Sequence, residues 1–246
     1  MFKKLVVIDS GNIMHKAIFA FRNNSQVPCV YTYFRMIIGY LKKIGVTLDD
    51  KIIICEDYGS WRKDIDKNYK AQRRDFRESK ESAEWWSEVY GEFNNFIPKL
   101  EQCLPWNFCR AYKMEADDWA SIAIRFIEAE EKIMISSDED WQMLCTLPNV
   151  KVFSPYTKKY KIIKNPEKIL LKKIKGDVSD NLLEAPKTEA EFEKRKLIVD
   201  LISLPQYIEQ IIRPVIESLP IKNLYLNKIP FRTCREEIRK LYKLEE

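Results

Sequence analysis

The chain has 246 residues, 42 Lys and Arg against 37 Asp and Glu, a formal net charge of +5, a single histidine and six glycines. One His15 cannot furnish the ligand sets of most zinc enzymes and leaves little room for a Ser-His-Asp or Cys-His relay. The glycines stand at 11, 39, 45, 59, 91 and 176, no two closer than six apart, which excludes G-x-G-x-x-G and G-x-x-x-x-G-K phosphate cradles and leaves any chemistry to carboxylates or lysines.

In chain order, Leu5–Ile8 is an apolar run that predicts a strand buried on both faces. It is too short for the apolar region of a signal peptide, and no stretch approaches 18 apolar residues, so a soluble, intracellular protein is expected, in the host cytoplasm if viral. Phe34, Ile37, Ile38 and Leu41 predict a helix over Tyr31–Lys43, and Ile52–Cys55 a second buried strand. Trp85, Val89, Phe93, Ile97 and Leu100 predict a helix over Glu84–Leu104. A strand is expected at Phe108–Tyr112 and a helix at Ala116–Ala129. Further strands are expected at Ile133–Ile135, Val150–Phe153 and Tyr160–Ile163. This alternation implies an α/β fold with a mainly parallel sheet and helices on both faces.

From Asn181 onward, Leu197–Ile202, Tyr207–Leu219 and Cys234–Leu244 look helical, with Pro214 expected to kink or break its helix. The six cysteines form no C-x-x-C pair and several lie in apolar runs, so they read as reduced thiols. Two stretches are basic: Arg62–Arg77 carries seven basic residues against three acids, and Lys158–Lys175 eight lysines against Glu167.

Acids gather where the strands end. Leu5–Ile8 runs into Asp9, Ile52–Cys55 into Glu56 and Asp57, and Ile133–Ile135 through two serines into Asp138, Glu139 and Asp140. Glu115, Asp117 and Asp118 open the clearest helix, and Asp177 and Asp180 lie in a turn-like Gly176–Asn181 segment. Singly, these are helix caps, loop starters and turn residues. In an open parallel sheet they share one edge, where ligands bind. So many carboxylates repel one another unless neutralised. Without His or Cys ligands, Mg²⁺ or Mn²⁺ is favoured, and two such ions roughly 4 Å apart suit phosphodiester hydrolysis.

The segments Val6–Asn12, Glu56-Asp57, Tyr69–Arg73, Glu115–Asp118, Ser136–Asp140 and Gly176–Asn181 occur in the order seen in 5′-nucleases. The chain resembles this flap endonuclease and 5′→3′ exonuclease family, and within it the T-even-phage ribonuclease H type. The resemblance spans most of residues 5–181. It implies a PIN-like, Rossmann-like sheet with a helical arch within about 62–104, a nuclease core over 1–181 and a helical C-terminal region over 182–246. It further implies two Mg²⁺ or Mn²⁺ ions. Asp9, Asp57, Glu115, Asp117 and Asp118 would serve the first ion, Asp138 both, and Asp140, Asp177 and Asp180 the second. Lys70 and Arg73 match residues that contact the scissile phosphate, with Tyr69 beside them and Lys16 a further candidate. Arg62, Arg74, Lys172, Lys173 and Lys175 are expected to bind nucleic acid. Trp85 and Trp86 read either as a stacking platform or as core.

The implied activity is 5′→3′ exonuclease or flap endonuclease action, with RNA-primer removal, in phage-type DNA replication. The substrate would be DNA or an RNA–DNA hybrid with a 5′ end or flap, and the protein a monomer with a single-strand-binding or clamp protein as candidate partner. One departure stands out: no glycine follows Gly176, so the family's helix-hairpin-helix element is expected to be shortened or absent. The rival readings are a PIN-type ribonuclease and a non-catalytic nucleic-acid-binding relative. An Asp-nucleophile phosphatase is disfavoured because position 11 is glycine.

Overall fold

The computed structural model describes residues 1–23, 26–72 and 82–245. The strands β1 (Phe2–Asp9), β2 (Lys51–Cys55), β3 (Asn107–Cys109), β4 (Ala129–Ile135), β5 (Val150–Ser154) and β6 (Lys159–Lys161) form one sheet in the order β3-β2-β1-β4-β5-β6. All pairings are parallel except that of β5 with β6. The helices are α1 (Ser10–Asn23), α2 (Cys29–Ile44), α3 (Arg62–Ile65), α4 (Ala83–Cys103), α5 (Ala116–Phe126), α6 (Glu167–Lys175), α7 (Glu189–Val199), α8 (Gln206–Glu217) and α9 (Arg232–Leu241).

Strand alternation sends side chains to two separate cores. Val6, Ile8, Ile52, Ile54, Ile133 and Ile135 pack under α1, α2, α4 and α9. Leu5, Val7, Ile53, Cys55, Met134 and Val152 pack under α5 and α8. The expected sheet with helices on both faces is therefore present. The C-terminal helices belong to these cores, α8 through Ile208, Ile212 and Ile216, and α9 through Cys234, Ile238 and Leu241. All six cysteines are free, five of them buried. Among the described residues, no helix is long and apolar enough to cross a membrane.

Several boundaries differ from expectation for identifiable reasons. The helix expected to reach Ala129 ends at Phe126, because Ala129 already pairs with Phe2 at the start of β4. The third strand stops at Cys109, level with Cys55 where its partner β2 ends. Pro214 does not break α8: it lies on the exposed face, and Ser218 still donates to its carbonyl at 3.1 Å. Helix α7 starts well before Leu197, capped by Thr188, whose side chain accepts from Glu191 N. After Gly176, α6 and α7 pack against each other on either side of residues 176–188, sharing Ile174, Leu182 and Ile198.

The register positions the acidic edge. Ile8 lies opposite both Ile54 and Ile135, and Asp9 opposite Cys55, so Asp9 and Ser136 leave the sheet level with each other and Glu56 one residue further on. The strand order reverses between β1 and β4, the place where open α/β sheets bind ligands.

Arg62 locks this edge to the outer helices. Its side chain is 1% exposed. Its Nε donates to Ile198 O at 2.7 Å, while Nη1 lies 2.8 Å from Glu115 Oε2 and 2.9 Å from Asp118 Oδ1. The nucleic-acid-binding role expected for Arg62 is thereby corrected: no solvent-borne phosphate reaches this guanidinium.

Two outcomes follow. Arg62→Met leaves buried Asp118 without its cation and Glu115 with Lys70 alone, and is expected to cost about 3–5 kcal/mol in urea denaturation. A loss under about 1 kcal/mol would contradict this account. A chain ending at Leu204 loses six buried side chains of α8 and α9. At about 1.5–3 kcal/mol each, their burial rivals a typical folding stability of about 5–15 kcal/mol. No cooperative thermal transition is expected for it by circular dichroism; a cooperative one would show that the sheet folds without these helices.

Candidate metal centre

Asp9 both ends β1 and caps α1. Its Oδ1 accepts from Asn12 N at 2.9 Å, and its Oδ2 accepts from Ser136 Oγ at 2.8 Å across the β1–β4 seam. Burial, with Asp57 and Asp138 close by, pushes its carboxyl up to about 7. Asp57 Oδ1 accepts from Ala116 N at 2.8 Å, in the first turn of α5. Gly11 keeps room between these two acids, since a Cβ there would stand 3.1 Å from Asp57 Oδ2 and 3.6 Å from Asp9 Oδ1. Asp117 Oδ1 accepts from Trp141 Nε1 at 2.6 Å. Burial raises the Asp117 carboxyl well above its usual range, opposed by Lys70 and reinforced by Asp138. Asp138 Oδ1 accepts from Asp140 N at 2.9 Å. Asp9 thus lies near Asp57 and Asp138, and Asp117 near Asp138, an all-oxygen neighbourhood of the kind hard divalent cations take, although among the described residues only Asp140, Asp177 and Asp180 bring three carboxylate oxygens within 4.8 Å of one another.

Glu115 and Asp118 are engaged otherwise. Glu115 accepts from Ser60 Oγ at 2.9 Å, Arg62 Nη1 at 2.8 Å, Tyr69 Oη at 3.3 Å and Lys70 Nζ at 2.7 Å. Burial works against its charge, but Lys70 and Arg62 hold it at about 2. Asp118 is 0% exposed, and its Oδ2 accepts from Glu115 N at 2.9 Å and Trp61 Nε1 at 3.1 Å. Its expected metal-ligand role is corrected to that of a helix cap and partner of Arg62. Tyr69 is 2% exposed, so it supports Glu115 and presents no stacking face.

Lys70 is the central cation. It adopts a left-handed backbone (φ 55°), strained for a residue with a Cβ. Its Nζ also lies 3.9 Å from Asp180 Oδ1. Burial opposes its charge, while Tyr69, Glu115, Asp117 and Asp180 hold it well above the usual lysine range.

The second acidic group comes from elsewhere in the chain. One carboxylate oxygen each from Asp140, Asp177 and Asp180 lie within 4.8 Å of one another. Asp177 Oδ1 accepts from Ser179 N at 2.9 Å and Ser179 Oγ at 2.6 Å. Lys173 reaches into this group, its Nζ 2.7 Å from Asp140 Oδ1 and 2.6 Å from Asp177 Oδ2. Burial and Asp138 push Asp140 up to about 7 despite Lys173. Lys173 is 6% exposed, which corrects its expected place on a nucleic-acid surface.

Beside the acids lies a cleft of about 790 Å³, lined among others by Asp57, Lys70, Glu115, Trp86, Tyr90 and Arg110. Trp86 stacks on Tyr90 with ring centroids 5.7 Å apart, and both Trp85 and Trp86 are half-buried against the core. Both tryptophans therefore pack against the core, and Trp86 also lines the cleft. Lys172 and Lys175 are exposed, although Lys172 pairs with Glu139 at 2.7 Å. Lys16 donates to Pro155 O at 2.6 Å and lines a separate hollow of about 480 Å³ with Arg35, Tyr40 and Lys158. Arg73 and Arg74 lie outside the described residues. Arg110 and Tyr90 were not expected at the site. The signal for Arg110 was its position immediately after β3, at the edge where Asp9 and Asp57 emerge.

Residues 4–174 match the family described as 5′-3′ exonuclease, N-terminal resolvase-like domain. The chain is 34% identical over 149 residues to a ribonuclease H of Enterobacteria phage T4, covering 57% of this chain and 47% of that protein. It is 27% identical over 197 residues to a 5′-3′ exonuclease of Mycoplasmopsis pulmonis, covering 73% and 61%. The chain thus spans about half to three-fifths of these relatives. Its fold matches the bacteriophage T5 D15 protein co-crystallised with metal ions, with TM-score 0.63, 16% identity and coverage of 97% and 99%. It likewise matches a T5 D15 flap endonuclease complex with DNA and metal ions, with TM-score 0.64, 17% identity and coverage of 97% and 98%. With the family match spanning well over half its length, the chain belongs to the family of the 5′-3′ exonuclease N-terminal, resolvase-like domain.

Proposed function

We propose that this chain is a divalent-metal-dependent 5′-nuclease. It would hydrolyse phosphodiesters near the 5′ end or flap of DNA or an RNA–DNA hybrid, including RNA primers, during phage-type replication. The observation that carries this reading is the proximity of Asp9 to Asp57 and Asp138, and of Asp117 to Asp138, at the sheet's switch point, beside a cleft lined by Asp57 and Lys70. These four carboxylates would hold one Mg²⁺ or Mn²⁺, and Asp140, Asp177 and Asp180 belong to a second position. Metal bound there supplies activated water and neutralises charge on the phosphate. Lys70, fixed by Glu115, places an ammonium where a phosphate entering the cleft meets it. The Trp86–Tyr90 stack offers a face for an unpaired base. Exposed Lys172 and Lys175 add sequence-independent attraction for the backbone. Arg73 and Arg74, in the basic run that holds Lys70, are proposed for the same task.

The reading is tested with 5′-labelled flap, nicked, single-stranded and hybrid substrates in Mg²⁺ or EDTA. Cleavage is expected only with metal. Cleavage in EDTA, or none on any substrate, would sink the proposal, and a preference for unstructured RNA over all DNA would favour the PIN-type ribonuclease. Asp138→Asn is expected to lower the rate by at least about 100-fold, and Lys70→Met by roughly 100- to 1000-fold, with substrate binding largely kept. Unchanged rates in both variants would show that the site is misassigned.

The raised carboxyls set a pH dependence. Asp9, held at about 7, must lose its proton to bind metal. Mn²⁺ affinity is therefore expected to fall about ten-fold from pH 8 to pH 6. Folding has the opposite sign. A carboxyl whose folded pKa is raised contributes stability that is present below its unfolded value and lost as pH rises through about 7. In EDTA the melting temperature is expected to fall from pH 5 to pH 8, and Mg²⁺ to restore it. A metal-free melting temperature that rises over this range would contradict the assignment.

A further inference from the structure

Lys173 stands apart from the other lysines of its helix. Lys172 and Lys175 point to solvent, whereas Lys173 is 6% exposed and directed into an acidic trio. Its Nζ is 2.7 Å from Asp140 Oδ1 and 2.6 Å from Asp177 Oδ2. Asp177 commits its other oxygen to Ser179, so the oxygen left to face a cation is the one Lys173 already holds. A divalent ion bound to those same two oxygens at about 2.1 Å would need the space that Nζ fills. Two cations at such separation repel strongly, so occupancy is exclusive. The first acidic group differs: among the described residues, no Lys or Arg forms an ion pair with Asp9, Asp57, Asp117 or Asp138.

We propose that the Lys173 ammonium is a tethered cation filling the second metal position, so that the chain binds one divalent ion firmly and a second only by displacing it. The inference rests on the two-metal reading of the acidic edge. It assigns Lys173 a positioning role as well: the ammonium joins α6, the Asp138–Asp140 turn and the Asp177 loop without an ion. A second ion would have to break that link. The second position then responds to divalent concentration, while the first is filled throughout.

The test is a Mn²⁺ titration of the full chain at pH 8 and fixed ionic strength, with free ion counted by electron paramagnetic resonance. Wild type is expected to bind one ion tightly and a second at least about ten-fold more weakly. Lys173→Met is expected to bind two, the second tightened about ten-fold or more, while Lys168→Met, on the exposed side of the same helix, behaves as wild type. Two ions of equal affinity in wild type, unchanged in Lys173→Met, overturn the inference and leave the nuclease reading standing. No Mn²⁺ binding by either protein overturns both. Should Lys173→Met fail to fold, ¹⁵N-lysine NMR of wild type decides. An exchange-protected ammonium signal in EDTA is expected to vanish as the second Mg²⁺ binds, and its persistence with two ions bound overturns the inference.

Discussion

The structure depends on how carboxylates can be packed at one edge of a sheet. Two carboxylates about 4 Å apart repel by about 4 kcal/mol at an effective dielectric of 20. A few such pairs would consume a typical folding stability of about 5–15 kcal/mol. Among the described residues, the chain meets this with three buried or half-buried cations, none from a strand: Arg62 on Glu115 and Asp118, Lys70 on Glu115 and Asp180, and Lys173 on Asp140 and Asp177. Each arrives on a segment that must dock against the sheet edge. Docking of α3, the 66–71 turn and α6 is therefore coupled to assembly of the acidic edge.

The three cations differ in what they allow. Arg62 is permanently charged, planar and fully enclosed, so Asp118 and one face of Glu115 are closed to any ion or substrate. Lys70 lines the open cleft and remains available to an incoming anion while Glu115 fixes it. Asp9 and Asp117 have no such ion pair, and burial pushes the first up to about 7 and the second well above its usual range. Ion pairing thus divides a set of acids that looks uniform in sequence.

That division marks where sequence was informative. Buried strands were legible as apolar runs, and α5 as a periodic stripe with acids in its first turn. The acids after β1, β2 and β4 share one edge, as the sequence led one to expect, because strand ends of a parallel sheet meet there. Helix α1 was missed because it begins directly on Asp9, leaving no loop to announce it. Helix α7 was missed because Glu189–Lys196 is polar on nearly every side, although Thr188 and Glu191 spell a capping signal. Arg62 opens a run that reads as a solvated basic face, and only the arrival of Ile198 and α5 shows it to be interior. Lys173 and Asp177 stand four apart, a spacing that hints at pairing, but burial of the pair depends on α7.

The two halves of the site are set by different means. Asp9 and Ser136 are aligned by strand register, and a one-residue slip would exchange the β1 side chains between the two cores that now fit them. The second group and the cleft cation have no such frame, yet they are bound to each other. Lys70 N donates to Asp180 O at 3.2 Å, Gln72 Nε2 to Val178 O at 2.8 Å, and Asn181 Nδ2 to Asn68 O at 3.0 Å. The 68–72 segment and the 178–181 turn therefore form one body. Any shift of the Asp177–Asp180 loop is passed to the strained Lys70 backbone, and through its ammonium to Glu115 at the mouth of α5. The Asp177–Asp180 loop is in this way linked mechanically to the lysine facing the cleft.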